Sequence, residues 1–217
     1  MGQIDKFRAA MSKAKGFARP AKFKIRLHPP GNLLPEFRRD VELFCNAVQM
    51  PGHDLQTQKV KYGSAPAREM VVAHGFGGTI KASFYLSADM REKIFFEAWQ
   101  NLAVNPITHK ANYYDNYKGS MEIFQLSHQG NGIKLKPRKD GPRNSEVSGG
   151  FYSPDDFDMA TYGIEVMEVY PEQVGGIEYD YSTSDEIAIL TVQLQYREWR
   201  NSLLTKNPIF PGETESV

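Results

Sequence analysis

Strict alternation over EIAILTVQLQYREW at 186–199 constrains this chain more than any other feature, because Ala188, Leu190, Val192, Leu194 and Tyr196 recur at spacing two. On an extended backbone that spacing puts every apolar residue on one face, whereas a helix scatters them around its circumference. The stretch therefore predicts a half-buried strand. The same period appears at Phe23, Ile25 and Leu27 against Lys22, Lys24, Arg26 and His28, and again at Ile80, Ala82, Phe84 and Leu86. A second strand is expected with Val41, Leu43, Cys45 and Ala47 inward, and further strands around 119–127 and at Tyr162, Ile164 and Val166.

Two segments break this period. Ile4, Phe7, Met11 and Ala14 repeat at three and four, predicting a short basic amphipathic helix that ends near Gly16 and docks on its own fold or on a neighbouring subunit. ADMREKIFFEAWQNLA at 88–103 predicts the main internal helix, with Ser87 or Asp89 as N-cap. Its stripe of Ile94, Phe95, Ala98, Trp99 and Leu102 is apolar enough to clamp a sheet, and Phe95, Trp99 and Leu102 are the expected packing residues. With about seven strands to two helices, the chain reads as mainly β: an antiparallel sandwich or barrel with one helix packed across it.

Prolines and glycines mark the connections: PPGNLLP at 29–35, MPGHD at 50–54, GSAPA at 63–67 and YPEQV at 170–174 read as turns. Residues 55–73 around GSAPA form an extended hairpin poor in apolar residues. Such a hairpin buries little by itself and needs contact with something else. Residues 129–160, without periodicity, read as a loop insertion; residues 201–217, with Pro208 and Pro211, read as an extended tail on a single domain spanning 1–200.

Chemistry is sparse. There is no phosphate-binding glycine loop, nucleophile elbow or zinc helix. His28, His53, His74, His109 and His128 lie one per segment, without metal-ligand spacing. The acidic groups Asp155, Asp156 and Asp158, and Glu178, Asp180, Asp185 and Glu186, match no calcium loop and read as solvated. Cys45, the one cysteine, lies in an apolar run and reads as a small core residue. No cofactor, metal or catalytic residue is expected. Lys134, Lys136, Arg138, Lys139 and Arg143 form a basic run suited to a partner contact or to phosphates. Lysine plus arginine equal aspartate plus glutamate at 26 each, so the overall field favours neither nucleic acid nor membrane. No apolar stretch approaches the ~20 residues that span a bilayer, and the first residues lack a signal-peptide core, so a soluble protein made in a cytoplasm is expected.

FARP at 17–20 before the first strand, FFEAWQ at 95–100, the YP turn, SDEI and the closing YREW at 196–199 occur in an order that resembles the tail tube proteins of contractile-tailed bacteriophages, over roughly residues 15–200. The resemblance implies a non-enzymatic virion protein that forms hexameric rings. Rings would stack inside a sheath, above baseplate and hub proteins, with genomic DNA passing the lumen without specific binding. It also implies that neighbouring strands continue one sheet around the ring and that hairpins reach the next ring, which makes Gln58, Lys59, Val60, Tyr62, Arg68 and Met70 the candidate contacts. The insertion and tail make the chain longer than a minimal tube subunit, so an initiator ring at the baseplate junction is the alternative. A nucleic-acid-binding module using residues 134–143, and an enzyme using Asp156 or Asp180, are the readings from other classes.

Overall fold

The computed structural model describes residues 2–13, 17–31, 33–127, 133–135, 159–177, 179–180 and 187–202. The elements, in chain order, are α1 (Gln3–Lys13), β1 (Phe23–His28), α2 (Pro35–Leu43), β2 (Cys45–Val48), β3 (His53–Val60) and β4 (Arg68–Phe76). β5 (Thr79–Tyr85), α3 (Arg91–Ala103), α4 (Tyr114–Tyr117), β6 (Gly119–Leu126) and β7 (Ile133–Lys134) follow, then β8 (Met159–Val174), β9 (Ile189–Gln195) and β10 (Glu198–Asn201). The main sheet runs β1-β6-β8-β9-β5-β2, with β7 and β10 also paired to β8, and β3-β4 is a separate two-stranded sheet. The fold is mainly β and antiparallel, as the periodicities imply, and the path from β1 to β2 is open rather than closed into a barrel.

The chain clusters into two compact units. One comprises Met1–Lys24, Phe124–Ile164 and Asn201–Val217; the other comprises Ile25–Ile123 and Glu165–Arg200. In the first, Phe124, Leu135 and Ala160 form a small core with Leu126 against it. Ile133 and Lys134 pair with Ala160 and Met159, so the expected insertion contributes a short strand where its described residues begin. The Gln125 amide donates to the Arg19 and Lys22 carbonyls at 2.8 and 2.9 Å, fastening the chain that leads into β1. No residue of α1 is buried, and its Ile4 and Phe7 are exposed.

In the second unit, β5 and β9 pair from Thr79↔Gln195 to Tyr85↔Ile189. Their inward residues, Ile80, Ala82, Phe84, Leu190, Val192 and Leu194, are buried. Across them lies α3, whose Phe96 ring sits 5.0 Å from that of Phe84 and whose Phe95 stands edge-on to Trp99 at 6.1 Å. Phe95 and Trp99 are buried and Leu102 is half-buried, and the buried stripe is Glu92, Phe95, Phe96 and Trp99. Ile94 is 45% exposed, a correction to the sequence reading. The helix begins at Arg91 rather than 88, with Met90 left-handed at φ 55°. Ser87 still works at this end: its hydroxyl accepts from the Arg91 N–H, and the buried Glu92 carboxylate accepts from the Ser87 N–H and hydroxyl, both at 2.9 Å.

Three further expectations are corrected. Val41 and Leu43 belong to α2 rather than to a strand, since Pro35 starts the helix and Phe37 and Val41 share one face at spacing four. Val41 is buried, Leu43 is 63% exposed, and only Cys45–Val48 is extended. YPEQV does not turn: β8 continues to Val174, and Pro171, which lacks an N–H, sits beside a register shift between Pro171 and Gln173. The strand expected over 186–199 divides: β9 ends at Gln195, and β10 begins at Glu198 on β8.

Candidate assembly surfaces

The β3–β4 hairpin forms its own two-stranded sheet, and its register sorts the candidate contacts by face. Gln58 pairs with Met70 and Val60 with Arg68, so these four share one face, with Tyr62 beyond them at the turn. Lys59 lies on the opposite face opposite Glu69, 3.8 Å away as an exposed ion pair. A bulge between Gln56 and Thr57 increases the local twist. Leu55, Met70, Val71 and Val72 are all exposed and Tyr62 is 76% exposed. Met70 and Val71 fall on opposite faces of the register, so both faces of the two-stranded sheet expose apolar side chains with no core of their own.

What holds the hairpin is its base. Trp199 of β10 donates its indole N–H to the Gly52 carbonyl at 3.1 Å and meets His53 edge-on at 5.1 Å, with Phe76 at 6.5 Å. His74 completes the cluster at 6.0 Å from His53. The sequence shows the YREW ending but not this role, because Trp199 and Gly52 are 147 residues apart. At the tip, Val60, Tyr62, Ala65, Pro66, Arg68 and Met70 enclose a concave volume of about 360 Å³.

A second surface follows α3. Residues 104–113 form a loop closed by a bridge between Val104 and Ala111. The Asn105 carboxamide oxygen accepts from the Ile107 and Thr108 N–H groups, both at 2.9 Å, and the Asn105 N–H donates to the Lys110 carbonyl. Asn112 ties the loop to the helix end by donating from its side chain to the Leu102 carbonyl. Every residue from Val104 to Tyr113 is exposed, and Ile107 reaches 86%. Nothing in the spacing of the sequence indicates that this loop displays an isoleucine.

Polar groups gather at the Glu168 corner of β8. Glu168 is left-handed at φ 56° in mid-strand, and its carboxylate meets Arg197 at 2.9 Å and Lys118 at 3.9 Å. Burial, then a hydrogen bond to Glu168, push the Tyr114 hydroxyl up to about 12. These ion pairs brace β8 where its backbone is left-handed. His28 lies 3.5 Å from Glu122, and His109 is in the Ile107 loop. Among the described residues no group of three or more His, Cys, Asp or Glu side chains could hold a metal ion. Burial pushes the half-buried Cys45 thiol up to about 12, which disfavours the reactive thiolate. Lys134 lies in β7, and Asp180 is exposed. Lys136, Arg138, Lys139, Arg143, His128, Asp155, Asp156, Asp158, Glu178, Asp185 and Glu186 lie outside the described residues. No helix among the described residues is long and apolar enough to cross a membrane.

Residues 18–202 match the family model described as phage tail tube protein. No curated protein matches the sequence. Among solved structures, a chain of the sheath-tube complex of the PVC extracellular contractile injection system is 11% identical, with a TM-score of 0.53 over 89% of this chain and 95% of that one. A chain from the tube-terminating cap of the anti-feeding prophage is 13% identical, with a TM-score of 0.53 over 85% and 90%. One from the baseplate of the anti-feeding prophage is 9% identical, with a TM-score of 0.50 over 85% and 95%. At these identities the likeness is one of fold.

Proposed function

The chain belongs to the phage tail tube protein family, and from that premise we propose that it is the structural subunit of a contractile phage tail tube, six copies to a ring, with rings stacked inside the sheath. The observation that carries the reading is the separate β3–β4 hairpin, anchored at its base by Trp199 and otherwise exposing Leu55, Tyr62, Met70, Val71 and Val72 in the single chain. Gln58, Val60, Tyr62, Arg68 and Met70 supply the contact face and Lys59 the opposite one. In the plane of the ring, the outer edge of β2 is the place where a neighbour's strand continues the sheet.

The face of β5 and β9 away from α3 lines the lumen. It presents Thr79, Lys81, Ser83, Thr191, Gln193 and Gln195, with Tyr85 and Ile189 at one end, and Lys81 is the one charged residue among the outward positions of these two strands. Phosphates therefore meet mostly uncharged groups and little cationic charge, so DNA slides without being held. The role is geometric rather than catalytic. Residues 1–200 act as one tube domain, with 129–160 as an insertion and 201–217 as a tail. Sheath and baseplate hub proteins are its other partners in the virion tail, assembled in the host cytoplasm.

One observation favours the initiator ring as a second reading. Helix α1 precedes the matched residues and carries exposed Ile4 and Phe7, an addition suited to a junction with another protein. Electron microscopy of the purified chain decides between them: long tubes identify the major tube, isolated rings the initiator. A chain that stays monomeric at high concentration and adds to no tube, sheath or baseplate component refutes both.

A further inference from the structure

β1 and β2 are the two ends of the main sheet path, and the chain treats their edges differently. In β1 the Lys22 carbonyl accepts from the Leu126 N–H at 2.9 Å, and the His28 carbonyl lies against Gly119, so the even-numbered residues turn their peptide groups toward β6. Ile25 and Leu27 turn theirs to the open side, while their side chains are buried. An outward N–H of this kind is what an added strand pairs with. At Leu27 that donor is taken: it donates to the Glu42 carboxylate at 2.7 Å, a short bond assisted by the charge. Glu42 comes from the last turn of α2, and α3 holds α2 in place. Val41 is buried, Asp40 pairs with Arg91 of α3 at 3.1 Å, and the same guanidinium lies 5.6 Å over the Phe37 ring. A helix fixed in this way delivers the carboxylate to the β1 edge.

Resting on the reading that copies of this chain join edge to edge, we propose that Glu42 excludes β1 from that pairing, so that a subunit accepts a neighbour's strand at β2 and not at β1. A strand approaching Leu27 has to displace the carboxylate from its donor, and it sets its own carbonyls against that negative charge. β2 differs: its four residues, CNAV, carry no charged side chain. An unguarded β1 edge would take β2 of a second copy, because two β1 strands side by side would bring Lys24 and Arg26 beside their own copies. Pairing of β1 with β2 of another copy is a heterologous contact, and it would compete for the very edge that the ring uses. Glu42 removes that competitor.

The test uses the full chain and two substitutions at one position: Glu42→Ala removes the acceptor, and Glu42→Gln keeps an oxygen there. In the monomer, amide hydrogen exchange at Leu27 is expected to accelerate about tenfold or more in Glu42→Ala and to stay near wild type in Glu42→Gln. The Arg26 amide, which faces β6, should keep its protection in both. By sedimentation, Glu42→Ala is expected to form oligomers at concentrations where wild type is monomeric. Adding Val48→Pro should abolish them: the Gln49 N–H donates to the Lys81 carbonyl of β5, so Val48 turns outward and its replacement removes a donor from the β2 edge. Unchanged Leu27 exchange in Glu42→Ala, equal acceleration at Arg26, or a Glu42→Ala chain that stays monomeric would each overturn the proposal. So would Glu42→Gln oligomers equal to those of Glu42→Ala, or oligomers that persist with Val48→Pro. A wild-type chain that forms neither ring nor tube refutes the tube reading and leaves the closure of β1 standing, since exchange and sedimentation are read on unassembled protein.

Discussion

Replacing Trp99 with alanine tests the packing on which the second unit depends. The side chain is fully buried, stands edge-on to Phe95, and donates its indole N–H to the Tyr117 carbonyl at 2.7 Å. A buried tryptophan removes about 200 Å² from water, and at ~25 cal/mol per Å² that gives an upper estimate of about 5 kcal/mol. Large-to-alanine core substitutions of this class cost about 3–5 kcal/mol, and the abandoned Tyr117 carbonyl adds about 1 kcal/mol. We expect Trp99→Ala to lose about 4 kcal/mol or more. With a slope of about 2 kcal/mol per molar urea, the unfolding midpoint should fall by about 2 M. The measurement is urea unfolding followed by far-ultraviolet circular dichroism, at concentrations where sedimentation shows monomer, because assembly would add its own stabilisation. Ile94→Ala, on the exposed side of the same helix, should change stability by no more than about 0.5 kcal/mol. A loss below about 0.5 kcal/mol for Trp99→Ala, or equal losses for the two variants, would refute the assignment of the buried face.

The same unit makes three further predictions. A methyl group at Gly119 would lie 2.4 Å from the His28 carbonyl oxygen and 2.7 Å from the Trp99 ring, so Gly119→Ala should destabilise by about 2 kcal/mol or more in the same urea assay. At Glu168, which is left-handed without being glycine, Glu168→Gly should be more stable than Glu168→Ala by about 1 kcal/mol; both lose the Arg197 pair, but only glycine relieves the backbone. Because the folded chain raises the Tyr114 hydroxyl from 10.0 to about 12, its contribution is intact below pH 10 and lost as pH rises through 12. Urea midpoints measured across that window should fall less steeply for Tyr114→Phe than for wild type, and identical slopes would refute the assignment.

How much was legible depended on how far apart the cooperating residues lie. Period two identified β1, β5 and β9 because one face of each meets a core, and Leu190, Val192 and Leu194 are buried as their spacing implies. The hairpin was legible for the opposite reason: its shortage of apolar residues and its GSAPA turn mark strands with no core behind them. At Val41 and Leu43 the reading failed because apolar residues at spacing two and at spacing four coincide over so short a run, and the Pro35 start signal decides for helix. YPEQV failed because proline is a turn residue in isolation, whereas a bulge lets it sit within a strand. Of the candidate contacts, Gln58, Val60, Arg68 and Met70 share a face, but which face they share follows from register, and sequence alone does not fix register across a bulge. Trp199 under the hairpin and Arg197 beside Glu168 were out of reach, since both depend on long-range contacts.

The exposed hairpin bears on how such a chain assembles. Burying one exposed aliphatic side chain contributes about 1.5–3 kcal/mol, while bringing two proteins together costs about 4 kcal/mol or more in lost freedom. One hairpin contact of that size therefore does not hold two free subunits together at micromolar concentration. If six subunits are first joined edge to edge, six hairpins make their contacts after a single association cost, and the later contacts form at high effective concentration. Ring closure would then precede stacking. On this argument Met70→Asp, on the exposed hairpin face, should stop growth along the axis while rings still form. A substitution that blocks the free edge of β2 should abolish both: the Gln49 N–H donates to Lys81 in β5, so the Val48 N–H faces away from β5, and Val48→Pro removes an edge donor without breaking the ladder to β5. Tubes that persist in the β2 variant would show that stacking does not wait for the ring.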